Sequence, residues 1–180
     1  MKYTITIFIF IFSFSALADS AWVIAPDNSW SNGKVMMFNF DEDIELSKVG
    51  VAEVSRDSRG NITTFFYYFS INDETRSICD YDRLKDLNNE GQHVIKGVSV
   101  HKFNNQPVKM TGFCVAGTEE RPSMVYFRPQ TYEGLQFVVN QFKKSKSVTV
   151  ETNYWEEFKR IEFTALGFTK YWDSNNREAL

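Results

Sequence analysis

Four side chains of this 180-residue sequence are the natural candidates for chemistry: His93, His101, Cys79 and Cys114. Imidazole exchanges protons near neutral pH, so any mechanism built on a histidine base must use one of these two. No G-x-S-x-G, H-E-x-x-H, glycine-rich phosphate loop or EF-hand pattern accompanies them, and Gly97, between the histidines, interrupts simple strand alternation. Both therefore read as ordinary surface or hairpin histidines, with a small extracellular hydrolase using His93 or His101 as the alternative. Neither cysteine sits in a C-x-x-C or beside a histidine, the contexts that make thiolate nucleophiles or metal ligands. In an oxidising compartment Cys79 and Cys114 are expected to form a disulfide. Its loop of about 35 residues would stabilise the fold by roughly 3–4 kcal/mol in the chain-entropy model.

Other clusters carry weaker signals. Asp41, Glu42, Asp43 and Glu45 offer carboxylates, but without the glycine and spaced Asp/Asn ladder of a calcium loop they read as a solvated connection. No metal and no cofactor is expected, and no catalytic residue is assigned. Asn61-Ile62-Thr63 is a glycosylation sequon at a turn, relevant only in a eukaryotic secretory pathway. The run Thr64-Phe65-Phe66-Tyr67-Tyr68-Phe69 is the most unusual feature, because a strand here puts large rings on both faces. The favoured reading is a central strand covered on both sides. If one face is open, Phe66 and Tyr68 are the possible binding residues, since a tyrosine tip tolerates water.

These residues need a scaffold, and the N-terminus says where it works. Lys2, the apolar run Ile5 to Phe14 and the triplet Ala16-Leu17-Ala18 form a signal peptide over residues 1–18. The apolar run falls short of the roughly 20 residues needed to span a bilayer, so no membrane span is expected after cleavage. Residues 19–180 make a single globular domain, and with Lys2 gone, 19 basic against 23 acidic residues leave a formal charge of −4. The only basic cluster, Lys143-Lys144-Ser145-Lys146, suits a helix C-terminus, so nucleic acid is not an expected partner.

From residue 34 onward β-rich runs dominate. Val35 to Phe40 and Val49 to Val54 precede a hairpin whose turn is Asp57 to Asn61, and His93 to Phe103 faces Pro107 to Ala116 across Asn104-Asn105-Gln106. Leu135, Val138, Val139 and Phe142 recur at helical spacing behind the N-cap candidate Thr131. The expected class is α+β: a mainly antiparallel sheet with one main helix (about 131–144) and a short C-terminal helix (about 167–173).

The C-terminal third is similar to invasion-associated locus B (IalB)-like periplasmic proteins. The likeness rests on helix Tyr132 to Lys144, strands Val148 to Glu151 and Ile161 to Ala165, and Gly167-Phe168-Thr169-Lys170 opening the last helix. The stretch Asn104 to Met110, with Phe113-Cys114, also resembles hairpins of small exported proteins of Gram-negative bacteria. The resemblance implies a non-enzymatic envelope protein linked to host interaction. The residues and the resemblance together point to a periplasmic or secreted binding protein, of accessory, inhibitor or immunity type, with a protein as its expected partner.

Overall fold

Residues with branched and aromatic side chains alternate along much of the sequence, and among the described residues this alternation builds nine strands. The structure, a computed structural model, describes residues 23–24, 29–40, 46–70, 93–115, 124–152 and 158–177. The strands are β1 (Val23–Ile24), β2 (Lys34–Phe40), β3 (Leu46–Arg56), β4 (Ile62–Ser70), β5 (His93–Phe103), β6 (Gln106–Val115), β7 (Met124–Pro129), β8 (Ser147–Glu151) and β9 (Arg160–Thr164). Helix α1 (Tyr132–Lys144) lies between β7 and β8, and α2 (Phe168–Arg177) follows β9. The signal segment 1–18, the acidic run at 41–45 and Cys79 lie outside the described residues.

The described strands join one sheet in the order β1-β2-β3-β4-β7-β6-β5-β8-β9, and each pairing among them is antiparallel. The β5–β6 hairpin turns on Asn104 and Asn105, with φ of 47° and 69°, a left-handed pair that asparagine tolerates and that matches strand twist. A register shift falls between Ile95 and Gly97, where Gly97 takes φ 137°.

The α+β expectation is overturned. Twist accumulated over the eight strands from β2 to β9 curls the sheet until β2 lies against β9, giving a nearly closed, barrel-like sheet. The helices are short, 13 and 10 residues, and they cap one end of this barrel instead of forming a layer beside an open sheet. Trp30 fastens the seam. Its Nε1–H donates to Thr164 O at 2.7 Å and its main-chain N–H to Leu166 O at 2.8 Å.

Inward side chains fill the barrel. Val35 and Met37 from β2, Ala52 and Val54 from β3, Phe66 and Tyr68 from β4, and Val125 and Phe127 from β7 share one core with residues of β5, β6, β8 and β9. Helix α1, capped by Thr131 Oγ1 accepting from Gly134 N–H, adds Val138, Val139 and Phe142. The Phe142 ring stacks on Phe168 of α2 at 4.9 Å and meets Trp30 edge-on at 5.4 Å. Burial of a ring that size is worth about 2–3 kcal/mol, which explains why α1 sits with its apolar stripe inside the mouth.

Candidate functional site

Where the barrel meets its helices, the turn after β3 is built by its own side chains. Asp57 Oδ1 accepts N–H groups from Arg59 at 2.9 Å and Asn61 at 3.0 Å, and Gly60 adopts φ 82° to close the loop. Across the sheet, Arg128 Nη1 on β7 donates to Asp57 Oδ2 at 2.8 Å. Burial opposes charge on the Asp57 carboxyl, but the N–H groups of Asn61 and Arg59 and the Arg128 guanidinium outweigh it and hold the pKa below the ordinary aspartate value. Arg56 ties the same turn to the last helix, with Nη1 donating to Gly60 O at 2.9 Å and Nη2 to Asn175 O at 2.8 Å.

Between this turn, the end of β7, α1 and α2 lies a cleft of about 690 Å³. Its base is apolar, with Val139 and Trp172 buried and Ile62 and Leu135 partly so. Amide side chains of Asn61, Gln130, Gln136 and Asn140 line it, and Tyr132, 71% exposed, stands at the rim. Among the described residues Arg56, Arg59, Arg128 and Lys143 reach its walls against a single acidic lining residue, Asp57. Lys143 Nζ also pairs with Asp173 Oδ1 at 2.7 Å.

A second cleft of about 630 Å³ runs over the outer face of the sheet and shares Arg56, Asp57, Thr111 and Arg128 with the first. Its floor is aromatic: Phe113 stacks on Tyr126 at 4.8 Å, Phe65 meets Tyr126 at 5.8 Å, and Tyr67 lies 5.3 Å from Tyr126. The Arg128 guanidinium stands 5.4 Å from the Phe113 ring centre. Burial pushes the Tyr67 phenol up, and the Glu53 carboxylate that it hydrogen-bonds pushes it further. Phe65, Phe113 and Tyr126 are only 7–9% exposed, so these rings bury one another and present little free surface.

The sequence-predicted residues fall elsewhere. Phe66 and Tyr68, named as binding residues only should one face of β4 lie open, are 0% and 1% exposed and point into the barrel, while Phe65 and Tyr67 lie on the outer face. The reason is packing. Phe66 meets Phe103 at 5.0 Å and Phe163 at 6.0 Å across the interior, partners contributed by strands distant in sequence. The Tyr68 hydroxyl is buried and makes no hydrogen bond among the described residues, and burial pushes its pKa up.

His101 is fully buried, 4.5 Å from the Phe127 ring and 6.1 Å from Tyr68, and burial pushes its pKa down to about 3. An imidazole sealed there stays neutral and has no face toward solvent. His93 begins β5, and its side chain lies outside the described residues. Cys114 is buried on the inner face of β6, opposite Val125, while Cys79 lies outside the described residues.

Sequence reasoning missed Arg56, Arg59 and Arg128. The available signal was the pair of arginines flanking Asp57 in the turn, which reads from sequence as nothing more than a polar hairpin connection. Among the described residues no group of three or more His, Cys, Asp and Glu side chains gathers to hold a metal ion, and no helix is long and apolar enough to cross a membrane. Comparison of the chain with protein-family models, curated proteins and solved structures finds no match.

Proposed function

We propose that this chain is an exported binding protein without catalytic machinery and that it meets a protein partner at the cleft on the helix end of the barrel. One observation carries the reading: a polar cleft of about 690 Å³ is held open by hydrogen bonds between segments 71 and 119 residues apart. Such long-range polar ties over an apolar base give a preformed concave surface, the usual form of a recognition site. Export rests on residues 1–18, and the likeness to invasion-associated locus B-like periplasmic proteins supports the same compartment. A Cys79–Cys114 disulfide belongs to this proposal, as the natural staple for a domain in an oxidising space.

The test is site-specific cross-linking. The mature protein, carrying a photo-reactive amino acid at position 140 in the cleft or at the exposed position 170 outside it, is irradiated in envelope extract. A discrete adduct from 140 and none from 170 supports the reading; equal labelling from both positions refutes it. In the same preparation, an intact mass that retains residues 1–18, or alkylation of both thiols before reduction, overturns export or the disulfide respectively.

A further inference from the structure

The charge of the cleft runs against that of the molecule. The chain carries a formal charge of −3, yet among the described residues the cleft is lined by four basic side chains and one acidic one. Two of the four are neutralised: Arg128 by Asp57 at 2.8 Å, and Lys143 by Asp173 at 2.7 Å. Arg59 shares Asp57 only at 3.5 Å and its side chain is 74% exposed. Among the described residues Arg56 meets no carboxylate at all; its Nη1 and Nη2 each rest on a main-chain carbonyl. Two of the five N–H donors of the guanidinium are thereby used, and the bonds that use them fix its orientation.

We infer that the cleft receives an acidic polypeptide segment of the partner, with carboxylates drawn to Arg56 and Arg59 and its main chain met by the side-chain amides of Gln136 and Asn140. This inference rests on the reading of the cleft as the partner site. Three features fix the chemistry of the occupant. A guanidinium held by carbonyls keeps its full charge and presents a planar fork matched to a carboxylate, the recurring device for acidic-motif recognition. Amide side chains supply both a donor and an acceptor, the complement of a peptide group. The acidic remainder of the surface repels the same segment, so the attraction is confined to one place.

The test uses the mature protein and two fluorescein-labelled decapeptides, one alternating Glu and Gly and the other alternating Gln and Gly, read by fluorescence anisotropy. The Glu peptide is expected to bind at least tenfold tighter than the Gln peptide, with affinity falling severalfold between 50 and 200 mM salt. Gln130→Glu puts a carboxylate in the cleft at a side chain given no part in holding the peptide and should weaken the Glu peptide by about fivefold or more. Lys170→Gln changes net charge by the same amount outside the cleft and should leave binding within about twofold. Equal affinity for the two peptides, no saturable binding of the Glu peptide, or equal effects of the two substitutions overturns the inference. Cross-linking from position 140 separates the two levels: an adduct that persists when the peptides fail leaves the partner site standing with its chemistry wrong, and loss of both removes the site.

Discussion

Replacing Trp30 by phenylalanine should open the seam of the barrel. The phenyl ring can keep its edge contacts with Phe142 and Phe168, now 5.4 and 4.9 Å from the indole, but it lacks the Nε1–H that reaches Thr164 O at 2.7 Å. A buried carbonyl stripped of a donor costs about 1–3 kcal/mol. The lost ring volume, about 40 Å³ at roughly 24 cal/mol per Å³ of residual cavity, adds ~1 kcal/mol. The expected loss is therefore about 2–4 kcal/mol, or a fall in Tm of about 5–15 °C for a domain of this size. Urea unfolding followed by far-ultraviolet circular dichroism measures it without depending on indole fluorescence, and an unchanged slope against denaturant confirms that native stability has moved. Trp30→Ala, which also abandons both ring contacts, should be worse than Trp30→Phe by at least 1 kcal/mol. A loss below about 0.5 kcal/mol for the phenylalanine variant would show that Trp30 does not hold β2 to β9.

Gly112→Ala should cost about 1–3 kcal/mol, because an added Cβ would lie 2.6 Å from the ring of Phe127, which is fully buried beside His101; chemical denaturation that shows no change refutes this packing. Tyr68→Phe removes a buried hydroxyl that makes no hydrogen bond among the described residues and should leave the protein as stable or more stable by about 1 kcal/mol, whereas a loss above 1 kcal/mol would reveal a partner for that oxygen. His101 gives acid sensitivity of a definite sign. Its folded pKa of about 3 lies below the unfolded value near 6.5, so the unfolded chain takes the proton first, and stability falls as pH drops from about 6.5 toward 3. At pH 5 the loss is about 2 kcal/mol, and His101→Leu should lose that much less than wild type between pH 7 and 5 when denaturation is compared at the two values.

Features set by near neighbours in sequence were legible in it; features set by distant ones were not. The Asn104-Asn105 turn, the Thr131 cap and the stripe of Val138, Val139 and Phe142 depend on a few adjacent residues, and each is found where local chemistry places it. Closure of the sheet depends on Trp30 meeting Thr164, 134 positions away, so the same strand pattern fits an open sheet and the α+β class equally well. The aromatic run of β4 shows the same limit. Period-two alternation separates Phe66 and Tyr68 from Phe65 and Tyr67 but does not say which pair faces inward; distant partners decide it, with Tyr68 buried against Phe127 and Phe158. The cleft was hidden for a related reason: Arg56, Asp57 and Arg128 acquire their arrangement only when β7 and α2 close on the turn.

The rings of Phe66, Phe142 and Phe168 occupy the space in which a hollow barrel would carry cargo. An interior packed with rings has low compressibility, so the cleft built over α1 beside it is pre-organised and has little shape left to change on association. Rigid miniature ligands shaped to that cleft should lose less entropy on docking than flexible ones, and the free protein is then a sound template for choosing them.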